Sequence, residues 1–127
     1  MNILVVEDEQ PVAEMLCRAL EQLGNSCISA HNAESAWQML EQHPVDAVTL
    51  DLCMPGTPGM NWLERVAADR PELARSTLVI TGSHLDAALV ERLARCGAGV
   101  LAKPFTLENL ADAVRAQIAR PSTTRPD

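Results

Sequence analysis

The sequence predicts a three-layer α/β fold, a doubly wound five-stranded parallel sheet with helices on both faces. Three observations predict it. Short apolar runs alternate five times with stretches of helical periodicity. The third run, residues 45–50, is apolar on both faces apart from Asp46 and Thr49, as in a strand covered on both sides. The chain has 127 residues, 47% of them hydrophobic, enough for one core. Strands separated by helices run parallel, and right-handed crossovers place the helices on both faces.

The β-branched run Ile3-Leu4-Val5-Val6 opens the sheet. Pro11 suits a first helical turn, where its missing N–H costs nothing. Val12, Met15, Leu16, Ala19, Leu20 and Leu23 follow at helical spacing, and Gly24 closes the helix. Ser26–Ala30 is the second strand, and Asn32 caps a helix carrying Ala33, Ala36, Trp37 and Leu40. Pro44 ends that helix before the third strand. A loop of Met54-Pro55-Gly56-Thr57-Pro58-Gly59 then leads into a helix with Trp62, Leu63, Val66 and Ala67. Residues 78–80 form strand four, and a helix bearing Ala88, Leu89, Leu93 and Ala94 ends near Cys96-Gly97. Residues 100–102 form strand five, and Thr106 caps a last helix with Leu107, Leu110, Val114 and Ile118. Residues 1–120 are expected to be one domain and 121–127 a flexible tail or linker.

The charge balance excludes several function classes. Lys and Arg total 10 against 17 Asp and Glu, a formal net charge of -7 that repels phosphate backbones, so this domain is not expected to bind nucleic acid. The apolar runs are strand-sized, too short to span a bilayer, and no basic segment precedes an apolar stretch at the N-terminus. Cys17, Cys27, Cys53 and Cys96 form no CxxC pair, which points to reduced, non-catalytic thiols in a cytoplasmic protein.

In doubly wound sheets, ligands bind beyond the carboxyl ends of the strands. Strand one ends in Glu7-Asp8, strand three in Asp51, strand four in Thr81 and strand five in Lys103-Pro104. Singly, each has a bland explanation: a surface Asp is usually a cap, Lys before Pro a solvated loop residue, and Thr81 a partner for backbone. Capping or solubility alone would scatter such residues over both edges of the sheet. Three crowded carboxylates need a cation, and oxygen-only ligands select Mg²⁺ or Mn²⁺. A metal, a lysine and a hydroxyl around one carboxylate suit the equatorial oxygens of a transferring phosphoryl group, with the carboxylate as nucleophile.

With these residues in place, the chain resembles the receiver domains of two-component response regulators over residues 2–119. Ile3-Leu4-Val5-Val6-Glu7-Asp8-Glu9 resembles the family's first strand and acidic pair. Asp51-Leu52-Cys53-Met54-Pro55-Gly56 resembles its phosphoacceptor loop, with Gly59 at its usual position. Ile80-Thr81-Gly82 and Lys103-Pro104-Phe105 resemble the hydroxyl and lysine motifs. The resemblance implies a flavodoxin-like (βα)5 sheet of strand order 2-1-3-4-5. It implies that Asp51 is phosphorylated in a Mg-dependent reaction. Asp8, Asp51 and the backbone carbonyl of Cys53 would ligate the metal, and Glu7 would assist through water. Thr81 and Lys103 would engage the phosphoryl group, and Lys103-Pro104 would be a cis peptide.

The implied donor is a phosphohistidine on a sensor histidine kinase or a phosphotransfer protein. The effector is not named by the sequence. Members of the family often pair through their fourth to fifth helices. Cys53 and Ser83 stand where the family tunes hydrolysis, and neither positions water strongly, so a long-lived phosphoryl state is expected. Val100 stands where many members carry a switching aromatic, and the chain has no Tyr. The segment Arg70-Pro71-Glu72-Leu73-Ala74 is similar to receivers joined to hybrid sensor kinases.

Three other classes compete. A degenerate receiver would act only as an interaction module. A phosphohydrolase of the haloacid dehalogenase type needs an Asp two residues after its nucleophile, where this chain has Cys53. An FMN binder would be repelled by Glu7-Asp8-Glu9. Ser83, His84 and Asp86 lie too close in sequence for a triad. His31 and His43 are expected on the surface, and Trp37 and Trp62 in packing.

Overall fold

The computed structural model describes residues 1–53, 58–82 and 85–118. Met54, Pro55 and Gly56 of the expected acceptor loop, Ser83, His84 and the expected tail 121–127 lie outside the described residues. The elements in chain order are β1 (Asn2–Val6), α1 (Gln10–Gln22), β2 (Ser26–Ala30), α2 (Ala33–Gln42), β3 (Ala47–Leu50), α3 (Gly59–Asp69), α4 (Pro71–Arg75), β4 (Thr77–Thr81), α5 (Ala87–Cys96), β5 (Gly99–Ala102) and α6 (Leu107–Gln117). The five strands form one parallel sheet of order β2-β1-β3-β4-β5, so the implied fold and strand order are observed.

Two cores sandwich the sheet, one on each face. Leu4, Val6, Val48, Leu50 and Val79 pack with residues of α2, α3 and α5, including Leu40, Leu63 and Leu93. Ile3, Val5, Ala47, Leu78 and Ile80 pack with α1 and α6 through Leu16, Leu20, Leu110 and Val114. Alternate residues of each strand serve opposite cores, which is why the central runs are apolar throughout.

Helix ends follow local chemistry. The Asn32 side chain accepts from the Ser35 amide at 2.8 Å. Thr106 forms a capping box with Asn109, each side chain bonding the other's backbone N–H. Gly97 ends α5 at φ +79°, a left-handed conformation that an L side chain would strain.

Several expectations shift. Val45 and Asp46 precede β3: the Asp46 amide still donates to Asn2 O at 2.8 Å, but the return bond from the Asn2 amide goes to the Asp46 carboxylate, also at 2.8 Å. Met15, 50% exposed, and Leu23 lie off the buried face of α1. The segment at 71–75 is a one-turn helix begun by Pro71. Among the described residues, no helix is long and apolar enough to cross a membrane.

Candidate functional site: an acidic cluster at the carboxyl edge of the sheet

The sheet's hydrogen-bond ladder runs one rung past its strands and carries the polar residues with it. The amide of Glu7 donates to Ala30 O at 3.0 Å, that of Asp51 to Val6 O at 3.0 Å, and that of Lys103 to Thr81 O at 3.0 Å. Val6 pairs with Leu50 and Thr81 with Ala102, so the residues that follow emerge side by side. Backbone register, and not side-chain attraction alone, sets the cluster.

The carboxylates of Glu7, Asp8 and Asp51 each place an oxygen within 4.8 Å of the others. Glu7 and Asp51 are buried, and Asp8 is exposed at the mouth. The Lys103 ammonium lies 3.5 Å from Asp51 Oδ2 and 3.7 Å from Glu7 Oε1. The Cys53 amide donates to Asp51 Oδ1 at 2.9 Å, so the Asp51 carboxylate is held from two sides, by this amide and by Lys103. Thr81 is 2% exposed at the end of β4, between the strands that lead to Asp51 and to Lys103.

Burial pushes the Glu7 carboxyl up to about 7, although the Glu9 amide, which donates to it, opposes the rise; the nearby Asp51 charge adds to it. Burial would lower the Lys103 ammonium, but the Asp51 and Glu7 carboxylates outweigh it and hold the group above its usual value. Three carboxylates against one ammonium leave an excess of two negative charges when all are ionised. A hard dication fits that excess and the all-oxygen donor set, so the cluster is compatible with Mg²⁺.

The structure thus brings Glu7, Asp8, Asp51 and Lys103 together and puts Thr81 at the same edge. Cys53 contributes its backbone, and its side chain is exposed. The Lys103-Pro104 bond is cis, as the resemblance implied. The Asp86 carboxylate caps α5, accepting from the Leu89 amide at 2.8 Å, while Ser83 and His84 lie outside the described residues. Val100 is 44% exposed on the edge strand β5.

Gly59 matters more than its motif position suggested. A Cβ there would meet Leu52 Cα at 2.8 Å and Asp51 O at 2.9 Å, so α3 packs directly on the chain leaving β3. The sequence signalled the glycine, by its motif position after Pro58, but not the close approach that requires it.

Comparison with known proteins agrees with this geometry. The family model described as "Response regulator receiver domain" matches residues 3–115. The chain is 35% identical over 118 residues to a probable chemotaxis protein CheY of Rhizobium etli, covering 91% of each chain. It is 28% identical to the phosphate regulon transcriptional regulatory protein PhoB of Pseudomonas aeruginosa, covering 94% of this chain and 52% of that protein. It is 35% identical to the response regulator MprA of Mycobacterium avium, covering 100% of this chain and 54% of that protein. The chain therefore spans about half the length of these two regulators.

Among solved structures, Vibrio cholerae chemotaxis protein CheY4 superposes with a TM-score of 0.81 at 21% identity, covering 92% of this chain and 98% of that one, and so shares the fold. A Burkholderia pseudomallei response regulator, solved with a phosphorylated aspartic acid, calcium ion and citrate, has a TM-score of 0.77 and 29% identity over 89% of this chain and 65% of that one. The register-set acidic edge, the sheet order and the family match over residues 3–115 lead to one conclusion: the chain belongs to the response regulator receiver domain family of two-component signalling.

Proposed function

We propose that Asp51 accepts a phosphoryl group from a phosphohistidine donor, a sensor histidine kinase or phosphotransfer protein, in a Mg²⁺-dependent reaction. The observation that carries this reading is the Lys103 ammonium 3.5 Å from Asp51, beside two further carboxylates. A carboxylate oxygen of Asp51 attacks phosphorus, the P–N bond to the imidazole breaks, and the released imidazole nitrogen takes a proton. The Cys53 amide orients Asp51 for attack. Lys103 and the Thr81 hydroxyl bind phosphoryl oxygens. Asp8, Asp51 and the carbonyl of Cys53 would hold the metal, with Glu7 acting through water. When bound, Mg²⁺ (or Mn²⁺) supplies neutralisation of phosphoryl charge. The phosphorylated aspartate in the Burkholderia pseudomallei relative supports this assignment.

Receiver domains are signalling domains and not classical enzymes. In this reading the chain promotes its own phosphorylation and dephosphorylation, in the cytoplasm, and passes the state to an effector. Self-association through the α5–α6 face, the fourth and fifth of the helices expected from the sequence, is part of it, supported by Val90 and Val100, 50% and 44% exposed there.

Incubation with acetyl phosphate and Mg²⁺, followed by intact-mass measurement, tests the reading. One stable phosphoryl adduct, lost in Asp51→Asn, is expected. Continuous phosphate release would instead indicate a phosphohydrolase, and no adduct would indicate a phosphorylation-independent interaction module.

A further inference from the structure

α3 and α5 each start just beyond one of the side chains of the site. The α3 N-terminus is fixed to the acceptor strand, since the Gly59 amide donates to Leu52 O at 3.2 Å and the glycine leaves no room for a Cβ. α5 follows Thr81 after a short connection and is begun by the Asp86 cap. The two helices share a core that includes Leu63, Val66, Leu93 and Cys96.

Across their seam, Arg92 reaches from α5 to α3. Its Nε donates to Glu64 Oε2 at 2.8 Å, and its Nη2 donates to Glu64 Oε1 at 2.6 Å and to Asn61 Oδ1 at 3.2 Å. A bidentate fork with a third bond fixes direction as well as distance, which a single ammonium contact does not. The other ion pairs of α5 and α6, Glu91–Arg95 and Asp112–Arg115, each stay within one helix. Among the described residues, Arg92–Glu64 is the ion pair that joins two helices.

We propose that Arg92 is a positioning residue that, through Glu64 and Asn61, holds α5 in the arrangement belonging to an unmodified Asp51 and so opposes phosphorylation. This rests on the phosphoacceptor reading above. Here Lys103 is engaged with the Asp51 and Glu7 carboxylates themselves. A phosphoryl group on Asp51 claims Lys103 and the Thr81 hydroxyl, and Thr81 leads into α5. With Val100 at the aromatic switch position there is no ring on β5 to rotate, and α5, which follows Thr81 in the chain, is tied to α3 by this fork. Directional bonds at 2.6–2.8 Å do not survive a shift of about an ångström. A contact made in only one of two arrangements weakens every ligand of the other by the same factor.

The test uses beryllofluoride with Mg²⁺ as a phosphoryl mimic and measures its affinity for the full chain by calorimetry. R92A and E64A are each expected to bind it about two- to fivefold more tightly, the range for an exposed charge pair. The double variant should gain no more than either single variant, and R92K should fall between R92A and wild type. Unchanged or weaker binding by the folded variants, or additive gains in the double, overturns the inference. If R92A fails to fold, E64Q, which keeps shape and removes charge, gives the same reading. Wild type that binds alongside unresponsive variants overturns this inference alone. Wild type that does not bind, or D51N that still does, overturns the phosphoacceptor reading and this inference with it.

Discussion

Lys103 brings its ammonium to 3.5 Å from the carboxylate of Asp51, a residue 52 positions earlier in the chain. Parallel register creates this contact: β4 lies between β3 and β5, and the rung beyond Thr81–Ala102 delivers Lys103 to the edge where Asp51 leaves β3. Removing that positive charge has opposite effects on two ligands. Lys103→Ala is expected to bind Mg²⁺ about fivefold more tightly, roughly 1 kcal/mol, because a cation competing for the carboxylates is gone. The same variant should bind beryllofluoride more weakly than wild type. Calorimetric titration with each ligand checks both.

Gly59→Ala should damage stability and chemistry together. The added methyl would overlap Leu52 Cα and Asp51 O, backbone atoms that cannot rotate away. A loss of about 1–3 kcal/mol in urea unfolding is expected, with slower phosphorylation by acetyl phosphate in the folded fraction.

Thr106→Ala removes one half of the capping box on α6 and should cost about 1 kcal/mol, read as a lower urea midpoint at unchanged slope. Thr106→Ser should recover most of it.

Acid should selectively release the α3–α5 seam. Hydrogen bonding from Arg92 holds the Glu64 carboxyl below its usual value. A depressed folded-state value means that the contribution is present at neutral pH and is lost as pH falls from about 4.5 through the lowered value. Wild type and Glu64→Gln should therefore differ in urea stability at pH 7 and converge at acid pH. A difference that persisted at acid pH would contradict the assignment.

The fold was legible because alternation of apolar runs and helical stripes is what a doubly wound sheet requires. Asn32 and Thr106 were legible as caps because their side chains compete for backbone donors. The site was legible because Glu7, Asp8, Asp51, Thr81 and Lys103 each interrupt an apolar run at the same end. Other features left little signal. The α4 helix at Pro71–Arg75 is a single turn, too short to show a period. Met15 and Leu20 look alike in an apolar stripe, yet one is half exposed and the other is fully buried in the core that α1 and α6 share with the sheet. Trp62 is buried, whereas Trp37 is partly exposed under Arg65, whose guanidinium lies 3.9 Å from its ring. The Arg92–Glu64 fork spans 28 residues, and neither residue stands out from the other charges on its helix face.

The central claim, that Asp51 is the phosphoacceptor, is tested most directly by mapping the modified residue. After treatment with acetyl phosphate and Mg²⁺, borohydride reduction converts an aspartyl phosphate to homoserine, which peptide mass spectrometry locates. Homoserine at position 51, absent when Mg²⁺ is chelated, is the predicted result. Homoserine at another position, or none in protein that carries the phosphoryl adduct, would contradict the account.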